Sequence, residues 1–439
     1  MMAPVKHQPI SDVAEIISGG TPSTSHGEYW GGNIPWLSVA DFSTGYRWVD
    51  SAEKSISELG LLNSATTLLN KGDIIISARG TVGALAQIAA PMAFNQSCYG
   101  IRGRKGLSDT NFLYYAIKDA VTDLQHIAHG AVFSTITKNT FSLISIPQPP
   151  LPEQRRIAHI LGTLDDKIEN NRKTAKTLEA MAQAIFQSWF VDFDPVRAKM
   201  AGESPTSICK RLKLTPEILD LFPDRLVDSE LGEIPKGWEV RSIDRIGNFL
   251  NGLAMQKFPS SGQDNLLPVI KIAQLRACDL SGADLASSEI EPQFIVHDGD
   301  ILFSWSGSLE CVLWSGGVGA LNQHLFKVTP KSGYPRWLCY YGVRHFLEFF
   351  REVAAGKATT MGHIQRHHLS DARLALPHLK SLRGMNVSVE VAFEIIWKEL
   401  VEARKLSVIR DALLPKLISG EIIVPEADHL IQATMETTL

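Results

Sequence analysis

The chain has 439 residues, 44% of them hydrophobic, and a formal net charge of −4. That length supports two or three domains, each with its own core, and the charge excludes a globally basic nucleic-acid binder, so any DNA-contacting groups must be local. No run of about 18 apolar residues occurs, MMAPVKHQPI lacks the apolar region of a secretory signal, and the five cysteines are scattered without a CxxC pair, so reduced thiols and a cytoplasmic location are expected.

Residues 1–148 read as a β-rich domain. Short β-type runs such as IPWLSVADF (34–42), GDIIISARG (72–80) and ALAQIAA (84–90) are broken by Gly, Pro, Asn and Ser. They predict a mostly antiparallel sheet. One helix is predicted over 111–128, stopping before Gly130. A Pro-rich stretch then leads into a long helix at 149–192. Here Ile157, Leu161, Leu164, Ile168, Asn171, Ala175, Leu178, Ala182, Ile185 and Trp189 recur at alternating steps of four and three. A 3.5-residue period marks a coiled-coil seam. The polar Asn171 within it predicts a fixed register and a polar group opposite. The alternative is an ordinary long amphipathic helix.

Residues 193–230 are expected to form a polar linker. A second β-rich domain follows at 231–378, with runs LPVIKIAQL (267–275) and GDILFSWSG (299–307) and a helix over 335–354. Residues 379–425 predict a second long helix and 426–439 a tail. The second seam is Val389, Phe393, Ile396, Leu400 and Ala403, continuing after a change of phase through Leu406, Ile409 and Leu413. The two halves align at one offset of 227 residues: Gly72 with Gly299, Ser77 with Ser304, Thr81 with Ser308, Asn95-Gln96 with Asn322-Gln323. The expected fold class is α+β: a tandem duplication of a β-rich domain followed by a long helix, with the two helices packed together and pseudo-two-fold symmetry.

Signatures of catalysis are missing. There is no GxxxxGK[ST], no GxGxxG, and no Asn/Asp-Pro-Pro-Tyr/Phe of an amino-methyltransferase. Neither SARG nor SWSG fits GxSxG. His363 and His367 are four apart but have no cysteine or carboxylate partners at ligand spacing. Asp192 and Asp194 in DFDP could serve a nuclease, but they follow a helix end, where carboxylates commonly terminate the helix. No catalytic and no metal site is expected.

Chemistry remains in polar loops at matching places. Ser77, Arg79 and Thr81 stand beside Gly80 and Gly83, and glycine lets a backbone approach a surface closely. Arg79 suits guanine or phosphate, and Asn95 and Gln96 are the amides that read adenine. The second half offers Ser304, Trp305, Ser306, Ser308 and Gln323. Further candidates for DNA contact are Trp36, Arg47 and Arg102, then Lys257, Lys271 and Lys357. The competing view is that the shared Asn-Gln pair only caps strands.

A wider set of motifs spans almost the whole chain: SGGTPS (18–23), WLSVAD (36–41), GDIIISARGTVG (72–83), IPQPPLPEQRRIAHILGTLDDKI (146–168), WFVDFDPV (189–196), LGEIPKGWE (231–239), KATTMGHIQRHHL (357–369) and LLPKLISGEI (413–422). With these the chain resembles the specificity subunits of type I restriction–modification systems. The resemblance implies a non-catalytic DNA-reading subunit. Each β-rich domain would be a target recognition domain for one half of a bipartite, asymmetric target. The helices would pack as an antiparallel coiled coil through Ile157, Leu161, Leu164, Ile168, Asn171, Leu178 and Ile185 against Phe393, Ile396 and Leu400. Two methyltransferase (modification) subunits and two restriction subunits would join it on double-stranded DNA, and S-adenosylmethionine, ATP and Mg would belong to those partners. One departure is LPHLKSLRG (376–384), where a second PPLxEQ is expected, which bears on equal docking of partners at the two sites. A helix over 157–189 is about 50 Å long, enough to set two domains about 34–36 Å apart, one turn of DNA. The alternatives are a stand-alone nuclease using Asp192 and Asp194, or a scaffold that binds no DNA.

Overall fold

The computed structural model describes residues 6–121, 135–259, 266–356 and 362–424. The chain divides into two compact units, Met1–Glu169 with Lys405–Leu439, and Asn170–Arg404. Both long helices, Leu151–Phe190 and Leu379–Ser419, pass from one unit into the other.

Among the described residues the first unit holds two larger sheets beside the two-stranded pair of His7–Pro9 with Ser145–Pro147. One has the strand order Ala14–Ser18, Cys98–Gly103, Ile74–Ser77, Leu85–Ile88, Trp48–Val49; the other has Lys54–Ile56, Trp30–Leu37, Met92–Phe94, Leu68–Leu69. The second unit repeats both orders, as Gly247–Asn251, Leu325–Pro330, Ile301–Ser304, Cys311–Leu313 and as Leu285–Ser287, Leu266–Ile270, Gly319–Leu321, Ile295–Val296. Only a counterpart of Trp48–Val49 is missing among its described strands. Most pairings are antiparallel, as expected; Trp30–Leu37 with Met92–Phe94, its counterpart Leu266–Ile270 with Gly319–Leu321, and Trp48–Val49 with Leu85–Ile88 are parallel. The duplication seen as a sequence offset is thus a duplication of topology.

The apolar strand runs are buried on both faces. In Ile301–Ser304, side chains alternate: Ile301 and Phe303 join a cluster with Trp337, Leu338 and Phe350, while Leu302 joins Trp314 and Leu321 between the sheets. Ile74, Ile75 and Ile76 are equally inaccessible in the first unit.

Two expected helices are differently bounded. The first domain's helix runs Thr110–Asp119, and the later part of the 111–128 prediction extends outside the described residues. The 335–354 helix is broken into Arg336–His345 and Leu347–Ala355, with Phe346 between them at φ −91° and ψ 6°. Residues 193–230 are folded, where a polar linker was expected. Helices Asp194–Met200, Pro205–Leu212 and Pro216–Leu219 bury Val196, Ile208 and Leu219, and Phe222 packs on Trp189 and Trp238. Periodicity fails to reveal such short helices because one or two anchors hold each.

The long helices carry their predicted seams inward. Ile157, Leu161, Leu164, Ile168, Ala175, Ala182 and Trp189 are buried on the first, with Leu178 and Ile185 partly buried against the same core. Val389, Phe393, Ile396, Ala403, Leu406, Ile409 and Leu413 are buried on the second, and Leu400 partly so. The helices run antiparallel: Asp165 meets Arg410 and Asn171 meets Glu402, so rising numbers on one face falling numbers on the other. Asn171 is wholly buried and its Nδ2 donates to Glu402 at 2.8 Å, the polar partner its seam position requires.

Phe393 is fully buried and touches the rings of Tyr340 and Tyr341. Phe393→Ala should therefore lower unfolding free energy by about 3–5 kcal/mol, read as a shift of the denaturant midpoint of the transition that reports on the second unit.

Candidate nucleic-acid interface

The matched loops are built by the residues the two domains share. Ser77 and Ser304 are both completely buried. Each hydroxyl donates across its loop, Ser77 to the Thr81 carbonyl and Ser304 to the Ser308 carbonyl at 2.7 Å, and each accepts a backbone N–H, from Ala84 and from Glu310, both at 2.8 Å. Between them Gly80 and Gly307 have φ of +76° and +67°, a left-handed turn that favours glycine. Asn95 and Asn322 do similar work: their side-chain oxygens accept from the backbone N–H of Ser97 and His324. These shared residues form a framework and point inward, so Ser77 and Ser304 offer no group to a surface ligand.

What the loops expose differs. Arg79, Thr81 and Gln96 stand exposed in the first domain, and Ser308 and Lys257 in the second. Thr21 Oγ1 donates to Gln96 Oε1. Trp305 is half-buried; its Nε1 donates to Asn251 Oδ1 at 2.8 Å and its ring lies 5.8 Å from that of His324. Ser306 is buried with its hydroxyl 3.0 Å from His324 Nδ1. Beside this cluster, Gly307 N–H donates to the Gly362 carbonyl and Ile364 N–H to the Trp305 carbonyl. Loop residues 304–308, 322–324 and 362–364 are therefore packed into one cluster. Lys271 pairs with Asp284, and Lys357 lies outside the described residues.

Three further candidates are engaged within the protein, Trp36 and Arg47 buried and Arg102 about a third exposed. Trp36 is buried and its Nε1 donates to the Gly20 carbonyl at 3.0 Å. Arg102 lies against Asp73 through two contacts of 2.8 and 2.5 Å, with Glu15 at 3.5 Å, and the bond to Asp73 raises its pKa. Arg47 is only 6% exposed. It donates to Gln87 at 2.7 Å and Asn111 at 3.2 Å, lies 3.6 Å from Asp166, and its backbone N–H donates to Glu169. A Cβ at Gly162 would stand 2.8 Å from its guanidinium, so the glycine admits it. Arg47 fastens the first domain to its helix and is not presented to DNA.

The joint between domain and helix is polar in both units. Tyr115 donates to Asp165 at 2.7 Å, and Arg410 reaches the same carboxylate at 2.6 Å. Burial alone would lower the pKa of Arg410; Asp165 and Asp411 outweigh it and hold it raised. In the second unit Glu179 accepts from Tyr340 at 3.0 Å and pairs with Arg344 at 2.9 Å. Burial pushes the Glu179 carboxyl up, against the pull of Arg344.

The carboxylates of DFDP close a helix end. Asp192 accepts from Gln187 at 3.0 Å and Asp194 from Ser188 at 2.7 Å. Among the described residues no group of three or more His, Cys, Asp or Glu is placed to hold a metal ion, and no helix is long and apolar enough to cross a membrane. Sequence reasoning passed over Thr21 and His324. The signal was available: at the shared offset His324 replaces Ser97, and the informative positions are those that differ.

Comparison with known proteins yields one family. The model of the type I restriction modification DNA specificity domain matches residues 2–180. The chain is 27% identical over 434 residues to the MjaIX specificity subunit of Methanocaldococcus jannaschii, covering 95% of this chain and 93% of that protein. It is 24% identical over 334 residues to the HindI specificity subunit of Haemophilus influenzae, covering 67% and 72%. In fold it is similar to the S subunit of a type I restriction–modification system from M. genitalium, with a TM-score of 0.58 at 14% identity, over 94% of this chain and 96% of that one.

Two outcomes test this geometry. Asp165→Ala leaves Arg410 with only Asp411, and Tyr115 without its acceptor, and should cost up to about 3 kcal/mol, seen as a lower denaturant midpoint of the first unit. Arg79→Ala should leave that midpoint unchanged, weaken DNA binding, and reduce the slope of log affinity against log salt by about 1 if it meets a phosphate, as measured by fluorescence anisotropy across salt concentrations.

Proposed function

The chain belongs to the specificity subunits of type I restriction–modification systems, and on that premise we propose that it reads a bipartite, asymmetric DNA target, one half with each β-rich domain. The observation that carries this reading is the pair of matched loops. The same buried serine and the same hydrogen-bonding asparagine frame each loop, while the exposed residues differ. Two readers on one framework suit a target with unlike halves. Base edges are read by such exposed side chains, and phosphate contacts hold the register.

The antiparallel helices act as the spacer between the half-sites. Their rise of about 1.5 Å per residue converts helix length into DNA spacing. The chain is non-catalytic by itself. It positions methyltransferase subunits over the half-sites, two of them, with two restriction subunits joining for cleavage. S-adenosylmethionine, ATP and magnesium are bound by those partners. A net charge of −4 fits a subunit that shares its grip on DNA with others.

Two substitutions of whole segments test the reading in cells that carry the methyltransferase subunit. Replacing residues 1–145 with those of another specificity subunit should change one half of the methylated motif; a change in both halves defeats the two-reader reading. Deleting four residues, about one turn, from the first long helix should alter the spacing between the halves. A motif with unaltered spacing removes the helix as spacer.

A further inference from the structure

Gln96 and Gln323 occupy the same place in the two domains, yet their carboxamides are held by opposite ends. In the first domain Thr21 Oγ1 donates to Gln96 Oε1, which turns the oxygen inward and leaves the NH2 group free to donate outward. In the second domain Gln323 Nε2 lies 3.4 Å from His324 Nε2. An amide nitrogen only donates, so that ring nitrogen accepts, and the ring proton sits on Nδ1, facing the Ser306 hydroxyl at 3.0 Å. The NH2 group of Gln323 is turned inward and its oxygen outward.

The two clamps are exchanged between the copies. Strands Ala14–Ser18 and Gly247–Asn251 correspond, and beyond them Thr21 falls at the place of Ala254, which has no hydroxyl. His324 falls at the place of Ser97, too short to reach the amide. The imidazole is itself fixed, by Ser306 and by the Trp305 ring, which the Asn251 side chain holds.

Resting on the assignment of these loops to base reading, we infer that the two domains use the same residue type to read opposite hydrogen-bonding faces. Gln96 presents donors and fits the guanine edge, whose N7 and O6 only accept; Gln323 presents an acceptor and fits the exocyclic amino group of adenine or cytosine. His324 is a positioning residue that sets the sense of the Gln323 amide, and Thr21 does the same for Gln96.

The test uses the full chain assembled with its methyltransferase subunits, and reads the motif by sequencing methylated DNA. Gln96→Glu removes the donors and should cut methylation at the wild-type motif at least about tenfold. Gln323→Glu keeps the outward acceptor and should retain the base preference. His324→Ser should relax the choice at one base pair of one half-site, and His324→Asn, whose side-chain oxygen can accept the Gln323 N–H, should restore it. Should His324→Ser lower the melting temperature, Ala254→Thr tests the same clamp from the other side, by shifting that base choice toward guanine. Equal effects of the two Gln→Glu substitutions, or an unchanged motif in both His324→Ser and Ala254→Thr, overturn the inference. A wild-type complex that yields no bipartite motif overturns the reading beneath it.

Discussion

Each β-rich domain is joined to the long helices at a carboxylate of the first helix, the buried Asp165 in one unit and the partly buried Glu179 in the other. Both accept from tyrosine on a domain helix, Asp165 from Tyr115 and Glu179 from Tyr340 and Tyr341. Both also receive an arginine, but from different places: Arg410 comes from the second long helix, and Arg344 from the domain itself. A loop that reads a base must be held to a fraction of an ångström, and its position is no better defined than this joint. Charge pairs out of water do that well because an unpaired member is so costly. They add direction, which apolar packing alone lacks.

The loops show a division of labour that follows from burial. Serine, asparagine and glycine residues common to both domains close the turns with hydrogen bonds inside the protein. Between them Arg79, Thr81 and Ser308 face outward, whereas Trp305 and Ser306 are held by Asn251 and His324. Arg47, Trp36 and Arg102 belong to the first group although their chemistry suggested the second. An arginine in a β-rich domain looks like a surface charge until its partners are known, and two of those of Arg47, Asp166 and Glu169, are supplied by the long helix.

Much of the architecture was legible because it repeats. The seam at 3.5 residues holds from Ile157 to Trp189, since its positions are buried or, at Leu178 and Ile185, partly buried, and the constant offset from Gly72 to Gly299 reflects a repeated strand order. The folded stretch at 193–230 was hidden, because helices of four to eight residues depend on single anchors such as Ile208 and Phe222. His324 was hidden for the opposite reason: comparing the halves for what they share draws attention away from what they do not. The sense of an amide is a tertiary fact, set by Thr21 from a distant strand end or by a neighbouring ring.

The buried serine clamps have a consequence for how such a chain can change over time. Because Ser77 and Ser304 close their loops from within, neutral drift in the outward residues incurs little folding penalty. New base preferences can be sampled without passing through unfolded intermediates. A duplicated copy can diverge in what it binds while keeping its stability, and the two loops of this chain already differ in what they expose.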